Sequence, residues 1–153
     1  MKEKEMINMG YRSDVRIITT IKGFDELKKY TDKYLKEKNW KYGNLLDDCN
    51  VYYETKNSKY FGWDGIKWYD NLDGYEDVDA IMNGLNDLAN KDLSYRYARI
   101  GEDYTDYAED FYDSSNENEQ SLEYPSYLRC FDDDWTIENI KKYEKEEDEV
   151  IEL

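Results

Sequence analysis

Between Arg12 and Ile100 the spacing of apolar residues switches from two to three or four and back, twice, and no other feature limits the possible folds so strongly. Arg12 to Thr20, with Val15, Ile17, Ile18 and paired threonines, predicts a β-strand that Gly23 ends. From Phe24 the positions Phe24, Leu27, Thr31, Tyr34 and Leu35 make one stripe, and Lys28, Lys29, Lys33 and Lys36 lie mostly away from it. That is an amphipathic helix with a solvated lysine face. After Trp40 and a Gly43-Asn44 break, Cys49 to Thr55 predicts a second strand. A polar turn joins it to the aromatic stretch Lys59 to Tyr69 as an antiparallel hairpin. Asp70 to Gly74 reads as a loop, and Tyr75 opens a second helix striped with Val78, Ile81, Leu85 and Leu88. Glu76, Asp77 and Asp79 fall in its first turn, where carboxylates meet the positive end of the helix dipole. Ser94 to Ile100 alternates as a strand again, with Tyr95, Tyr97 and Arg99 on one face and Arg96, Ala98 and Ile100 on the other.

This order of elements predicts an α+β chain: a ferredoxin-like split βαβ antiparallel sheet with two helices on one face, followed by an acidic C-terminal extension. Strict alternation along Lys59 to Tyr69 puts Tyr60, Gly62, Asp64, Ile66 and Trp68 on one side and Phe61, Trp63, Gly65, Lys67 and Tyr69 on the other. The expectation is therefore Ile66 and Trp68 under the helices, with Phe61 and Trp63 on the opposite face, where residues after 100 fold back over them. The predicted organisation is a single domain over 1–153. It comprises a mobile lead-in (1–8), a βαββαβ core (9–100), an acidic extension (101–136) and an acidic tail (137–153), helical or frayed.

A chain of 153 residues is long enough to bury a core, and 16% aromatic residues set it apart from disordered sequences. No run approaches the roughly 20 apolar residues of a membrane helix, and Met1 to Gly10 lacks a signal-peptide core, so a soluble intracellular protein is expected. Cys49 and Cys130 are far apart with no CxxC pair; they are expected to be partly buried thiols rather than a metal site or disulfide. The complete absence of histidine removes Ser-His-Asp and Cys-His chemistry and imidazole ligands. Neither a GxxxxGK[ST] phosphate loop nor a GxGxxG turn is present. Asp70 to Asp77, DNLDGYED, matches a calcium loop in composition but not in spacing, and so many acids single out no glycosidase pair. A non-enzymatic protein without cofactor or metal follows as the expectation.

The net charge is −16, and it is unevenly placed. Residues 101–153 hold 19 of the 37 acids and 4 of the 21 bases, which leaves the first hundred residues nearly neutral. Such a segment repels nucleic acid and anionic membranes and attracts cationic surfaces, so RNA binding on an aromatic sheet face is disfavoured. The sharpest pattern is Gly101 to Asp113, GEDYTDYAEDFYD. As a helix it would align Asp103, Asp106, Asp110 and Asp113 as a carboxylate stripe, reinforced by Glu102 and Glu109, beside Tyr104, Tyr107, Ala108 and Phe111; as a strand the acids scatter. Ser114 to Gln120 reads as a flexible loop. Leu122 to Phe131, with the only proline at Pro125, predicts an edge strand, followed by Asp132, Asp133 and Asp134.

The segments MGYRSDV, FGWDGIKWYD, YEDVDAIM and SYRYARIGED, spanning about residues 9–112, resemble a family of small acidic proteins encoded by phages and prophages. That group includes inhibitors of host defence, among them anti-CRISPR proteins that occupy nucleic-acid channels with surface carboxylates. The resemblance implies a phage-encoded inhibitor of a host defence nuclease complex, acting in the cytoplasm of the infected cell as a nucleic-acid mimic. Combined with the charge pattern, it makes Glu102, Asp103, Asp106, Glu109, Asp110, Asp113, Asp132, Asp133 and Asp134 the candidate partner-binding carboxylates, with Tyr104 and Tyr107 as aromatic contacts. The expected partner is a basic protein surface of a nucleic-acid-binding enzyme, with no direct nucleic acid, no membrane, and a monomeric or dimeric state. A phage structural or regulatory protein that self-associates through its aromatic sheet face is the alternative.

Overall fold

The computed structural model describes residues 10–152, with side chains as far as residue 147. The lead-in expected to be mobile lies outside the described residues. Five strands, β1 (Ser13–Thr20), β2 (Val51–Glu54), β3 (Ser58–Ile66), β4 (Tyr95–Gly101) and β5 (Tyr107–Tyr112), form one antiparallel sheet in the order β2-β3-β1-β4-β5. Among the described residues three α-helices accompany it, α1 (Ile21–Glu37), α2 (Glu76–Asn90) and α3 (Asp133–Glu152), so the fold is α+β. None of the described helices is long and apolar enough to cross a membrane.

Helix α1 begins at Ile21 rather than after a glycine break. The Thr20 hydroxyl accepts from the Gly23 N–H at 2.9 Å, capping a helix that grows straight out of β1. Phe24 and Leu27 of α1 and Val78, Ile81, Leu85 and Leu88 of α2 then close one core against Val15, Ile17, Phe61, Trp63, Tyr95 and Tyr97 of the sheet. Gly84 lets the two helices approach, since a Cβ there would lie 2.5 Å from Leu27 Cδ1.

One expectation about this stretch holds, since Ile66 and Trp68 pack on the helix side, and one is corrected. Phe61 and Trp63 lie under α1 and α2, not opposite them, and Trp68 joins the same core, stacked on Trp63 with ring centroids 5.3 Å apart. The reason is a bulge. Ser13 pairs with Ile66 but Val15 with Trp63, so three steps on β3 face two on β1. Gly65 takes up the extra residue at φ +57°, its N–H held by Asp14. Alternation breaks there, and side chains on either side of the bulge reach the same face.

The opposite sheet face is covered by α3 and the chain leading into it. Ile18 and Tyr60 pack against Leu122 and Ile140, with Val51 and Ile137 at the margin. Leu122 to Phe131 is not the predicted edge strand: among the described residues it makes only an isolated bridge between Tyr127 and Phe131. The proline-containing segment instead crosses the sheet face, and Ser126 N–H donates to Thr136 Oγ1 while Asp132 N–H returns to the Ser126 carbonyl.

Helix α3 is tied down by a buried arginine. Arg16 of β1 is 3% exposed and donates to both carboxylate oxygens of Asp133, at 2.9 and 3.1 Å, to Asp64 at 2.7 Å, and to the carbonyls of Val15 and Trp63. Tyr60 adds a hydroxyl donor to Asp133. Burial alone would raise the Asp133 pKa, but the bonds from Arg16 and Tyr60 outweigh it and hold the carboxyl below its ordinary value. About three turns further along the helix, Glu144 accepts from the Thr55 hydroxyl and the Asn57 N–H of the β2–β3 turn.

Candidate protein-binding surface

Gly101 to Asp113 forms a turn and then β5, so the carboxylate stripe at helical spacing does not exist. Pairing with β4 wins because it gives Tyr112 and Ala108 a place at the core, whereas a helix would stack like charges on one face. The acids scatter. Asp110 falls on the α1/α2 side, where it accepts the Tyr95 hydroxyl at 2.7 Å; Tyr107, Glu109 and Phe111 fall on the α3 side.

Several candidate carboxylates are consumed by internal bonds. Asp106 takes a bidentate pair from Arg99, at 2.8 and 3.0 Å, and the Tyr11 hydroxyl at 2.7 Å. The Arg99 bonds bring its pKa down to about 2, against the smaller opposing effect of burial. Asp113 pairs with the buried Arg96 at 2.6 Å, and Asp133 belongs to the Arg16 cluster. Asp132 caps the first turn of α3 by accepting the Trp135 N–H at 3.0 Å. Glu102, Asp103, Glu109 and Asp134 remain exposed and outside any ion pair among the described residues.

Glu109 lies on the α3 side of β5, where an aromatic layer forms, whereas Glu102 and Asp103 sit beside Tyr69 and Tyr11. Phe111 meets Tyr124 edge-on at 6.3 Å, Tyr107 tilts against Tyr127 at 6.1 Å, and Tyr127 meets Phe131 at 5.3 Å. Three guanidinium groups sit on these rings: Arg96 over Tyr124 at 4.3 Å and Phe111 at 5.4 Å, Arg16 over Phe131 at 5.0 Å, and Arg129 over Tyr104 at 4.4 Å. Despite these contacts, Tyr104, Tyr107, Phe111, Tyr124 and Trp135 are about half exposed or more, and Leu128 is 85% exposed. Clustered aromatics at the surface with a charged rim are the composition of a protein-binding patch.

Sequence reasoning found Tyr104 and Tyr107 but missed Phe111 as a surface group, and missed Tyr124, Tyr127, Phe131 and the arginines entirely. The available signal was the aromatic density of Tyr124 to Phe131 inside an acidic third, masked by reading that segment as a strand. Among the described residues no group of three or more acidic or thiol side chains is arranged to hold a metal ion. Asp70 to Asp77 serves α2, with Asp79 and Glu76 accepting the Asn71 and Gly74 N–H groups. Burial pushes the Cys49 thiol up to about 12, whereas Cys130, expected to be partly buried, is exposed beside the aromatic patch. No protein-family model, curated protein or solved structure matches the chain.

The Arg99–Asp106 pair also makes a prediction about pH. Because the folded pKa of Asp106 is below its ordinary 3.8, the pair's contribution is complete above about pH 4 and is lost as pH falls through about 2. Its size should be about 1–2 kcal/mol, allowing for solvent screening of a side chain one-third exposed. Urea melts of the native chain and Asp106→Asn should differ most at neutral pH and converge near pH 2.

Proposed function

We propose that this chain is a non-enzymatic binding protein whose aromatic and acidic surface engages a basic protein surface on a nucleic-acid-binding enzyme, as phage inhibitors of host defence nucleases of the anti-CRISPR type do. The observation that carries the reading is an exposed acidic surface, Glu102, Asp103, Glu109 and Asp134, outside any ion pair among the described residues, together with exposed rings that already hold guanidinium groups. An arginine on a partner would find there a π-face and a carboxylate together, where a nucleic acid would offer a base and a phosphate. Asp106, Asp113 and Asp133 take a supporting role in this reading, shaping the surface through Arg99, Arg96 and Arg16. The resemblance to small acidic phage proteins supports a site of action in the cytoplasm of an infected cell.

We further propose that β1 to β4 with α1 and α2 make a ferredoxin-like split βαβ unit, to which β5 and α3 are additions. The order β2-β3-β1-β4 supports this: α1 joins two parallel strands that flank β3, and α2 joins two that flank β1.

The functional reading is tested by DNA cleavage with purified RNA-guided nuclease complexes. Inhibition should be strongest at low salt and fall as salt rises, because the charges act through screened solvent. Changing Glu102, Asp103 and Glu109 together to lysine should raise the inhibitory concentration about tenfold or more with the melting temperature unchanged. Inhibition that survives the reversal, or its absence against every complex, would overturn the proposal.

A further inference from the structure

We infer that the outer edge of β5 takes an extended, arginine-bearing segment of the protein partner as an added strand of the sheet. The inference rests on the basic-partner reading above and specifies its geometry. β5 ends the sheet order, so one side of its backbone is unpaired within the sheet. The register identifies the groups involved. Gly101 N–H donates to the Asp106 carbonyl at 2.8 Å, and in this antiparallel ladder the pairs Arg99/Ala108, Tyr97/Asp110 and Tyr95/Tyr112 repeat that bonded arrangement. The backbone N–H and C=O of Tyr107, Glu109 and Phe111 therefore point away from β4. The Phe111 N–H is occupied by the carboxylate of Asp110, at 2.9 Å, a local bond that an incoming carbonyl can replace; those of Tyr107 and Glu109 have no partner among the described residues.

The side chains along this edge define what would pair with it. On the α3 side, Glu109 stands between the exposed rings of Tyr107 and Phe111, so a residue opposite it on an added strand meets a carboxylate flanked by two π-faces. Arginine satisfies both at once, and Arg96 already shows that arrangement inside the chain, with its guanidinium against Phe111 and Tyr124 and its charge on Asp113. A second copy of the chain fits less well, because pairing β5 with itself brings Glu109 and Asp110 of both copies onto one short ladder. Strand addition supplies main-chain hydrogen bonds for affinity and leaves side-chain alternation to set specificity.

The test uses a fluorescent peptide of alternating arginine and valine with the full-length chain. Binding should be about tenfold weaker for Glu109→Pro than for Glu109→Gln, since both remove the charge but only proline removes the outward N–H, without touching the β4 ladder. As a readout that does not depend on the proline variant folding, amide hydrogen exchange followed by NMR on the unaltered chain should show protection of Tyr107 and Glu109 on adding peptide. Peptide binding that leaves these amides unprotected overturns strand addition and leaves the basic-partner reading standing. Failure of the peptide to bind at low salt counts against both. Protection that instead grows with protein concentration alone would identify the occupant as a second copy and overturn the inference.

Discussion

Replacing Asp133 with alanine should destabilise the chain by about 3 kcal/mol, the lower end of what breaking a buried ion pair costs. Two bonds to the buried Arg16 guanidinium are lost, and the Tyr60 hydroxyl loses its acceptor. Asp64 stays on Arg16, which keeps the loss from being larger, but it is about half exposed and compensates only in part. The damage should be local before it is global. Helix α3 docks through this cluster at its N-terminal end and through Glu144 in its middle, so limited proteolysis should cut between residues 121 and 132 sooner in the variant than in the parent. Asp64→Ala is the control. It removes a solvent-screened partner and should cost less than about 1 kcal/mol in the same urea melt.

Trp63→Ala should cost about 3–5 kcal/mol, the range for deleting a large aromatic side chain from a core. Trp63 is 2% exposed, touches Phe61 edge-on, stacks on Trp68, and donates its indole N–H to the Leu45 carbonyl at 2.9 Å. Its removal empties the centre of the helix-side layer and unpins the 3-10 turn Leu45–Asp47 that closes the layer's rim. The near-UV circular dichroism of the stacked indoles should vanish with it. Trp135→Ala, by contrast, alters an exposed indole, and its stability should stay within about 0.5 kcal/mol of the parent.

The order of elements through Ile100 was legible because α1 and α2 bury the stripes that sequence spacing marks, whereas β1, β3 and β4 are apolar enough to be read as strands although they are buried on both faces. What could not be read was geometry set by a single residue or by distant pairing. Gly65 shifts the alternation of β3 by one position, and nothing in a glycine's letter says whether it will adopt a positive φ. Gly101 to Asp113 carries both a helical stripe and a strand alternation, and only its pairing with β4 decides between them. The carboxylates were visible as charge but not as partners. Asp133 meets Arg16 from 117 residues away and Asp106 meets Arg99 across a turn, so the acids that looked most alike in sequence divide into structural and exposed groups. Tyr104 and Tyr107 were found because they stand beside those acids, and Tyr124 and Phe131 were missed because their neighbours in space, Phe111, Tyr127 and Arg16, are not their neighbours in an obvious repeat.

The position of β1 carries a consequence for synthesis. It is the first described strand to leave the ribosome, yet it lies in the middle of the sheet, and both its partners, β3 and β4, come later in the chain. Its two edges must wait, one until Ile66 has been made and the other until Gly101. During that interval Val15, Ile17 and Ile18 are exposed on a strand with no neighbour, the circumstance in which nascent chains pair wrongly with one another. Helix α1, continuous with β1 and built from local contacts, is made next and can cover Val15 and Ile17 before β3 and β4 arrive, whereas Ile18, on the other face, has to wait for α3.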